Sequence, residues 1–288
     1  MTRTVLVCLL AAGLAACGGK SDGRLPVVAS TNVYGDIARQ IGGAHVAVTS
    51  VLKDPNADPH LFEPGTATGL AVAHARVVIE NGLGYDAFMS RLEQAAPNDR
   101  RRVVAVADVL DVHGAGANPH LWYDLPRLPQ VGAAIERALA GADGAHGAAY
   151  AAGLRRFVAS LRPVRRAIGA LRDAHGGAAV AYTEPVPAYL LQAAGLRNVA
   201  PSAFTRAIQQ GSEPPPSAVS AMNALVTQHR IRVLLYNKQA VSPITGGLRE
   251  RTQRADLPVL GVTETLPPGQ SFQAWQLRQI HELQRALA

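Results

Sequence analysis

From Leu25 onward, short runs of aliphatic and β-branched residues alternate with longer stretches whose apolar positions recur at helical spacing. Residues 27–30, 46–52, 77–79 and 103–106 are strand-length apolar runs bounded by glycine, proline or polar residues. Between them, residues 34–41, 66–74 and 86–95 read as helices, the first ending at Gly42-Gly43. This order predicts a parallel sheet covered by helices. Pro126 is placed to open a further helix in its first turn, where a missing N–H is tolerated. From about 145 to 175 the chain is rich in alanine, leucine and arginine and favours helix throughout. Pro163 is expected to kink or split that stretch, and Gly176-Gly177 to end it. A second set follows: strands over 178–182, 233–236 and 259–262, and helices over 188–194, 217–229, 248–255 and 272–287. The reading is an α/β protein with two lobes, each a parallel sheet flanked by helices, joined by a long linking helix. The expected boundaries are 25–143 for the first lobe, 144–176 for the linking segment and 177–288 for the second. Ligands of open α/β sheets sit beyond the carboxyl ends of the strands, so two facing lobes imply a cleft between them.

Four loops leave strands towards that cleft, each with one candidate metal ligand. Asp58-Pro59-His60-Leu61-Phe62 and Asn118-Pro119-His120-Leu121-Trp122 repeat one pattern, a histidine directly after a proline. Proline fixes its own φ and biases its predecessor towards extended backbone, so each histidine sits on a stiff loop. In the second lobe, Thr183-Glu184-Pro185 and Thr263-Glu264-Thr265-Leu266-Pro267 each place a glutamate just after a strand. Taken singly, each histidine reads as a surface loop residue and each glutamate as a helix N-terminal carboxylate. Together, two neutral imidazoles and two carboxylates make a neutral site for a dication. Four ligands suit zinc; a bidentate carboxylate raises the coordination number and suits manganese or ferrous iron. Glu63 and Asp124 lie just beyond the histidine loops, either as acceptors for imidazole N–H or as caps of the next helix. The other seven histidines read as helix-terminal or exposed.

The first residues add a location. Met1-Thr2-Arg3 gives a positive start, and residues 5–16 are apolar but too few to span a bilayer. They lead into Leu14-Ala15-Ala16-Cys17, which resembles a bacterial lipobox within a signal peptide of residues 1–17. Cys17 would carry the lipid, and residues 18–24 would form a flexible tether. Cys8 would be removed, leaving no free thiol, so a metal site here uses nitrogen and oxygen ligands only. The formal net charge is +7, and of 28 basic residues only Lys20, Lys53 and Lys238 are lysine. The arginines form no long run, which reads as a solvated surface and carries no nucleic-acid role.

Longer matches surround these ligands. Asn56-Ala57-Asp58-Pro59-His60-Leu61-Phe62-Glu63-Pro64, Asn81-Gly82-Leu83-Gly84-Tyr85-Asp86, Asn118-Pro119-His120-Leu121-Trp122-Tyr123-Asp124, Thr183-Glu184-Pro185 and Gly261-Val262-Thr263-Glu264-Thr265-Leu266-Pro267-Pro268-Gly269 together resemble the solute-binding lipoproteins of bacterial zinc/manganese ABC transporters, the metal-binding cluster 9 type. The resemblance covers nearly everything after the tether. It implies one divalent metal, manganese or zinc with ferrous iron as a third choice, held between the lobes by His60, His120, Glu184 and Glu264. It implies no catalysis. Its expected partners are a membrane permease with a cytoplasmic ATPase. Its expected form is a monomer anchored through Cys17 on the extracytoplasmic side. Two positions depart from the pattern. Glu264 stands where the family commonly has aspartate, and Glu184 where many zinc members have histidine, which leans towards manganese. The histidine-rich loop of zinc members is absent. Two rival readings are an adhesion or scaffold lipoprotein with a structural metal, and a metallohydrolase. The second has neither a His-Glu-x-x-His helix nor a Gly-x-Ser-x-Gly elbow behind it.

Overall fold

Two four-stranded parallel sheets carry the molecule, in a computed structural model that describes residues 23–114 and 116–288. Cys17, the signal peptide and most of the tether lie outside the described residues, as does the side chain of His60. The first sheet comes from β1 (Leu25–Thr31), β2 (Val46–Leu52), β3 (Val77–Glu80) and β4 (Arg102–Ala105), with α1 (Asn32–Gly42), α2 (Thr66–His74), α3 (Ala87–Ala95) and the short α4 (Val106–Val109) among them. Its order is β2-β1-β3-β4. All but one residue of β1 is buried, as a parallel strand covered on both faces requires.

After β4 come α5 (Leu128–Ala142), α6 (Gly147–Ser160) and α7 (Arg162–His175). Pro126 does not open α5. It lies in a turn closed by the Arg127 N–H donating to the Asp124 carbonyl at 3.0 Å, and Pro129 takes the early helical position instead. The 145–175 stretch splits at Leu161, so that Pro163, which has no N–H to lose, falls in the first turn of α7. Gly153 of α6 lies against α1: a Cβ there would collide with the Ile41 carbonyl oxygen.

The second half contains β5 (Ala179–Tyr182), α8 (Ala188–Ala193), β6 (Arg197–Asn198), α9 (Ser202–Gln209), α10 (Pro216–Thr227), β7 (Leu234–Asn237), α11 (Pro243–Arg254), β8 (Val259–Val262) and α12 (Phe272–Leu287). Its order, β6-β5-β7-β8, repeats the winding of the first sheet. Both sheets therefore reverse direction between their first and third strands, at β1/β3 and at β5/β7. Three differences from the sequence reading have local causes. β6 is a two-residue exposed edge strand, too short to show a period. α9 follows it without having been anticipated. α11 starts five residues early because Ser242 and Thr245 form a reciprocal cap: the Ser242 hydroxyl accepts from the Thr245 N–H at 3.2 Å, and the Thr245 hydroxyl accepts from the Ser242 N–H at 2.9 Å. That cap carries the helix through Gly246-Gly247.

Alternation along β5 and β7 divides the second half's core. Val180, Tyr182 and Leu235 join a cluster that runs back through Phe272, Trp275 and Ile280 of α12 into the first sheet. Ala181 and Leu234 face a smaller cluster with Phe204, Met222, Val226 and Leu248. The two sheets thus share one continuous apolar core, and only the outer face of the second sheet has a core of its own.

Candidate metal centre

His120 reaches the space between the sheets from a loop in which Asn118 does the positioning. The Asn118 Oδ1 accepts from the His120 backbone N–H at 3.2 Å, and the Asn118 Nδ2 donates to the Pro185 carbonyl at 2.8 Å. These two bonds fix the amide's orientation, because a backbone N–H is always a donor and a carbonyl always an acceptor. The same Oδ1 lies 2.6 Å from His120 Nδ1, which must therefore carry the ring proton. In the neutral ring Nε2 then keeps its lone pair. That atom is buried and has no hydrogen-bond partner among the described residues. It lies 3.8 Å from Glu184 Oε1 and 3.4 Å from Glu264 Oε2.

Glu184 and Glu264 arrive from the carboxyl ends of β5 and β8, and both are fully buried. Asn237, the last residue of β7, lies between them. Its Nδ2 donates to Glu184 Oε2 at 2.6 Å and to Glu264 Oε1 at 2.8 Å. The Glu264 loop is gripped by Gln239, whose Oε1 accepts from the backbone N–H of Glu264 at 2.7 Å and of Thr265 at 3.2 Å. From the first half, the Tyr85 hydroxyl donates to Glu264 Oε2 at 3.0 Å. Burial, then the neighbouring Glu264 carboxylate, hold the Tyr85 phenol well above its ordinary pKa, so it stays a donor.

Tyr85 is aimed by the loop after β3. The Asp86 carboxylate accepts from the N–H groups of Asn81 at 2.5 Å and Gly82 at 2.9 Å. Gly82, Leu83 and Gly84 all adopt positive φ, which glycine takes without strain at two of the three. Asn81 also supports the histidine loop. It accepts from the Tyr34 hydroxyl at 2.6 Å and donates to the Pro119 carbonyl at 2.8 Å. The rings of Tyr85 and Trp122 stand edgewise to His120 and exclude solvent from it.

Of the sequence candidates, His120, Glu184 and Glu264 come together: each offers a ligand atom, and these atoms lie within 4.8 Å of one another. The set suits a dication, because two carboxyl groups and one imidazole nitrogen turn oxygen and nitrogen donors towards a common buried point. His60 has its backbone in a single 3-10 turn, Pro59–Leu61. The loop before that turn is tied across the molecule by the Gln239 Nε2, which donates to the Ala57 carbonyl at 2.9 Å. Neither outer candidate meets an imidazole among the described side chains, which do not include that of His60. Asp124 is taken by Arg127, with contacts of 2.6 Å to Nε and 2.5 Å to Nη2, because the guanidinium three residues on outcompetes a more distant ring. Glu63 is exposed and lines a cavity of about 450 Å³ beside the His60 turn. The imidazole acceptor is Asn118, which lay unnoticed inside the Asn-Pro-His motif. Asn237 and Gln239 were also missed. Their one signal was position, at or just past the end of the second strand of the second set.

Three comparisons bear on the chain as a whole. It is 30% identical over 125 residues to the manganese-binding lipoprotein MntA of Bacillus subtilis, a stretch covering 41% of this chain and 40% of that protein. The chain spans about two fifths of the length of the first curated relatives it matches. Its fold is that of the periplasmic zinc-binding protein TroA from Treponema pallidum, with a TM-score of 0.77 at 17% identity, covering 92% of this chain and 100% of that one. The solute-binding protein FpvC from Pseudomonas aeruginosa, in complex with Mn2+, superposes with a TM-score of 0.75 at 19% identity, covering 92% and 98%. A family model matches residues 27–286, and the chain belongs to that family, the periplasmic zinc-uptake complex component A.

Proposed function

We propose that this chain captures one divalent transition metal, manganese or zinc, in the space between its lobes and passes it to an ABC permease driven by a cytoplasmic ATPase. The observation that carries the reading is the buried Nε2 of His120, without a hydrogen-bond partner among the described residues, facing one oxygen from each of two buried glutamates. A cation of charge two neutralises the carboxylates and takes the nitrogen lone pair, removing the desolvation penalty of all three groups at once. His60 is the proposed fourth ligand, on a turn stiffened by Pro59. Ferrous iron fits the same donors. The chain works as a monomer held to the membrane by a lipid on Cys17, outside the cytoplasm. No described helix is long and apolar enough to cross a membrane. The proposed units are residues 25–143 and 177–288, joined by 144–176. The chain binds and releases its cargo without changing it chemically.

The test is native mass spectrometry of the full chain in detergent, stripped of metal and then offered manganese or zinc. One ion per chain is expected. His120→Ala should lower the affinity by more than ~100-fold while leaving the circular dichroism spectrum intact, because a direct ligand outweighs the 10–100-fold effect of an outer one. Undiminished binding by that variant would refute the reading.

A further inference from the structure

We infer that Asn237 sets the metal preference of the site by holding both glutamates to one ligand oxygen each. It rests on the metal-capture reading above. The geometry is specific to a side-chain amide. Asn237 is fully buried at the end of β7. Its Oδ1 accepts from the Gln239 backbone N–H at 3.0 Å, which leaves Nδ2, with its two hydrogens, pointing at the carboxylates. One hydrogen goes to Glu184 Oε2 and the other to Glu264 Oε1. The oxygens that approach the His120 nitrogen are the other two, Glu184 Oε1 and Glu264 Oε2. Each carboxylate is therefore divided: one oxygen is turned to the amide and one to the centre, where Glu264 Oε2 also accepts from the Tyr85 hydroxyl at 3.0 Å. The backbone anchors this arrangement, since the Asn237 N–H donates to the Thr183 hydroxyl at 3.0 Å, next to Glu184 in sequence.

The consequence concerns the number of donors a metal meets. An oxygen engaged by a charge-assisted hydrogen bond is a poorer second donor than a free one. With both glutamates kept to one oxygen, the protein supplies a small ligand set, which zinc accepts fully and manganese, with its preference for six oxygen-rich positions, accepts less well. Glutamate at position 184 gives the site an oxygen-rich character that favours manganese, and Asn237 works against it. Releasing the two carboxylates should let either one close on the metal with both oxygens.

The experiment compares wild type, Asn237→Ala and Asn237→Leu as full chains, each loaded with manganese or with zinc, by X-ray absorption spectroscopy and by zinc/manganese competition. Leucine fills the side-chain volume without donors, so it separates loss of the amide from loss of packing. In both variants the manganese coordination number should rise by about one oxygen per freed carboxylate. The zinc-over-manganese preference should fall by roughly ten-fold, the scale set by one hydrogen bond to a charged group. A residue that only supports the fold would lower thermal stability and move neither readout. Folded, loaded variants with the wild-type coordination number and preference would overturn the inference. So would failure of both variants to fold with metal present, which would make Asn237 structural. A wild type that binds no metal would instead bring down the capture reading, and this inference with it.

Discussion

Glu80 shows how a single side chain outside the metal centre shapes the behaviour of the protein. It ends β3, and burial, followed by the Asp86 carboxylate, raises its pKa from 4.5 to about 7. A carboxyl group with a raised folded-state pKa binds its proton more tightly in the folded protein than in the unfolded one. Its contribution to stability is full below pH 4.5 and is lost as the pH rises through 7. Glu80→Gln should remove that slope, so the melting temperature of the variant should gain on wild type steadily between pH 4.5 and 7. A constant difference across that window would show that Glu80 titrates normally. None of this was legible in the sequence, where Glu80 was simply the polar residue after a strand. His120, Glu184 and Glu264 stood out because proline or strand ends flank them. Asn118, Asn237 and Gln239 did not, because an amide acquires its role from the groups it meets, and those lie 67, 53 and 182 positions away.

At the scale of elements, periodicity and punctuation carried most of the fold. Val46–Leu52, Thr66–His74, Val259–Val262 and Phe272–Leu287 sit where their apolar patterns placed them. The failures share a cause, since a local signal was outweighed by a hydrogen bond the pattern does not encode. The helix expected over 248–255 starts five residues earlier, because the Ser242–Thr245 cap opens α11 at Pro243. Pro126 pointed to a helix start, but the turn it sits in delays α5 to Leu128. Helix packing adds a constraint that no periodicity reveals. α6 lies so close to α1 at Gly153 that any side chain must push the Ile41 backbone aside. Gly153→Ala should therefore destabilise the fold by about 1–3 kcal/mol, the usual range for overpacking, despite alanine's better helix propensity. Urea denaturation would measure it; a stabilised variant would mean the two helices have room to separate.

The whole molecule is more tightly joined than two lobes and a linker suggest. One apolar core runs from the first sheet through α12 into the second. Polar straps cross as well: Asn32 and Leu266 exchange hydrogen bonds of 2.7 and 2.8 Å, and the Tyr123 hydroxyl donates to the Thr263 carbonyl at 2.8 Å. Such a molecule resists wide hinge opening, so release of a bound ion belongs to its loops. Gln239 is the loop strap closest to the chemistry, since it grips the Glu264 loop with its oxygen and the loop before His60 with its nitrogen. Gln239→Leu should speed metal release by roughly ten-fold, the scale of one lost hydrogen bond or slightly more, as read by stopped-flow chelation. An unchanged rate would place the barrier elsewhere. Anomalous diffraction from crystals loaded with manganese or zinc would show whether His120, Glu184 and Glu264 receive the ion together. A single strong peak is expected between His120 Nε2, Glu184 Oε1 and Glu264 Oε2. A peak at any other place, or none at that point in metal-loaded crystals, would contradict that reading.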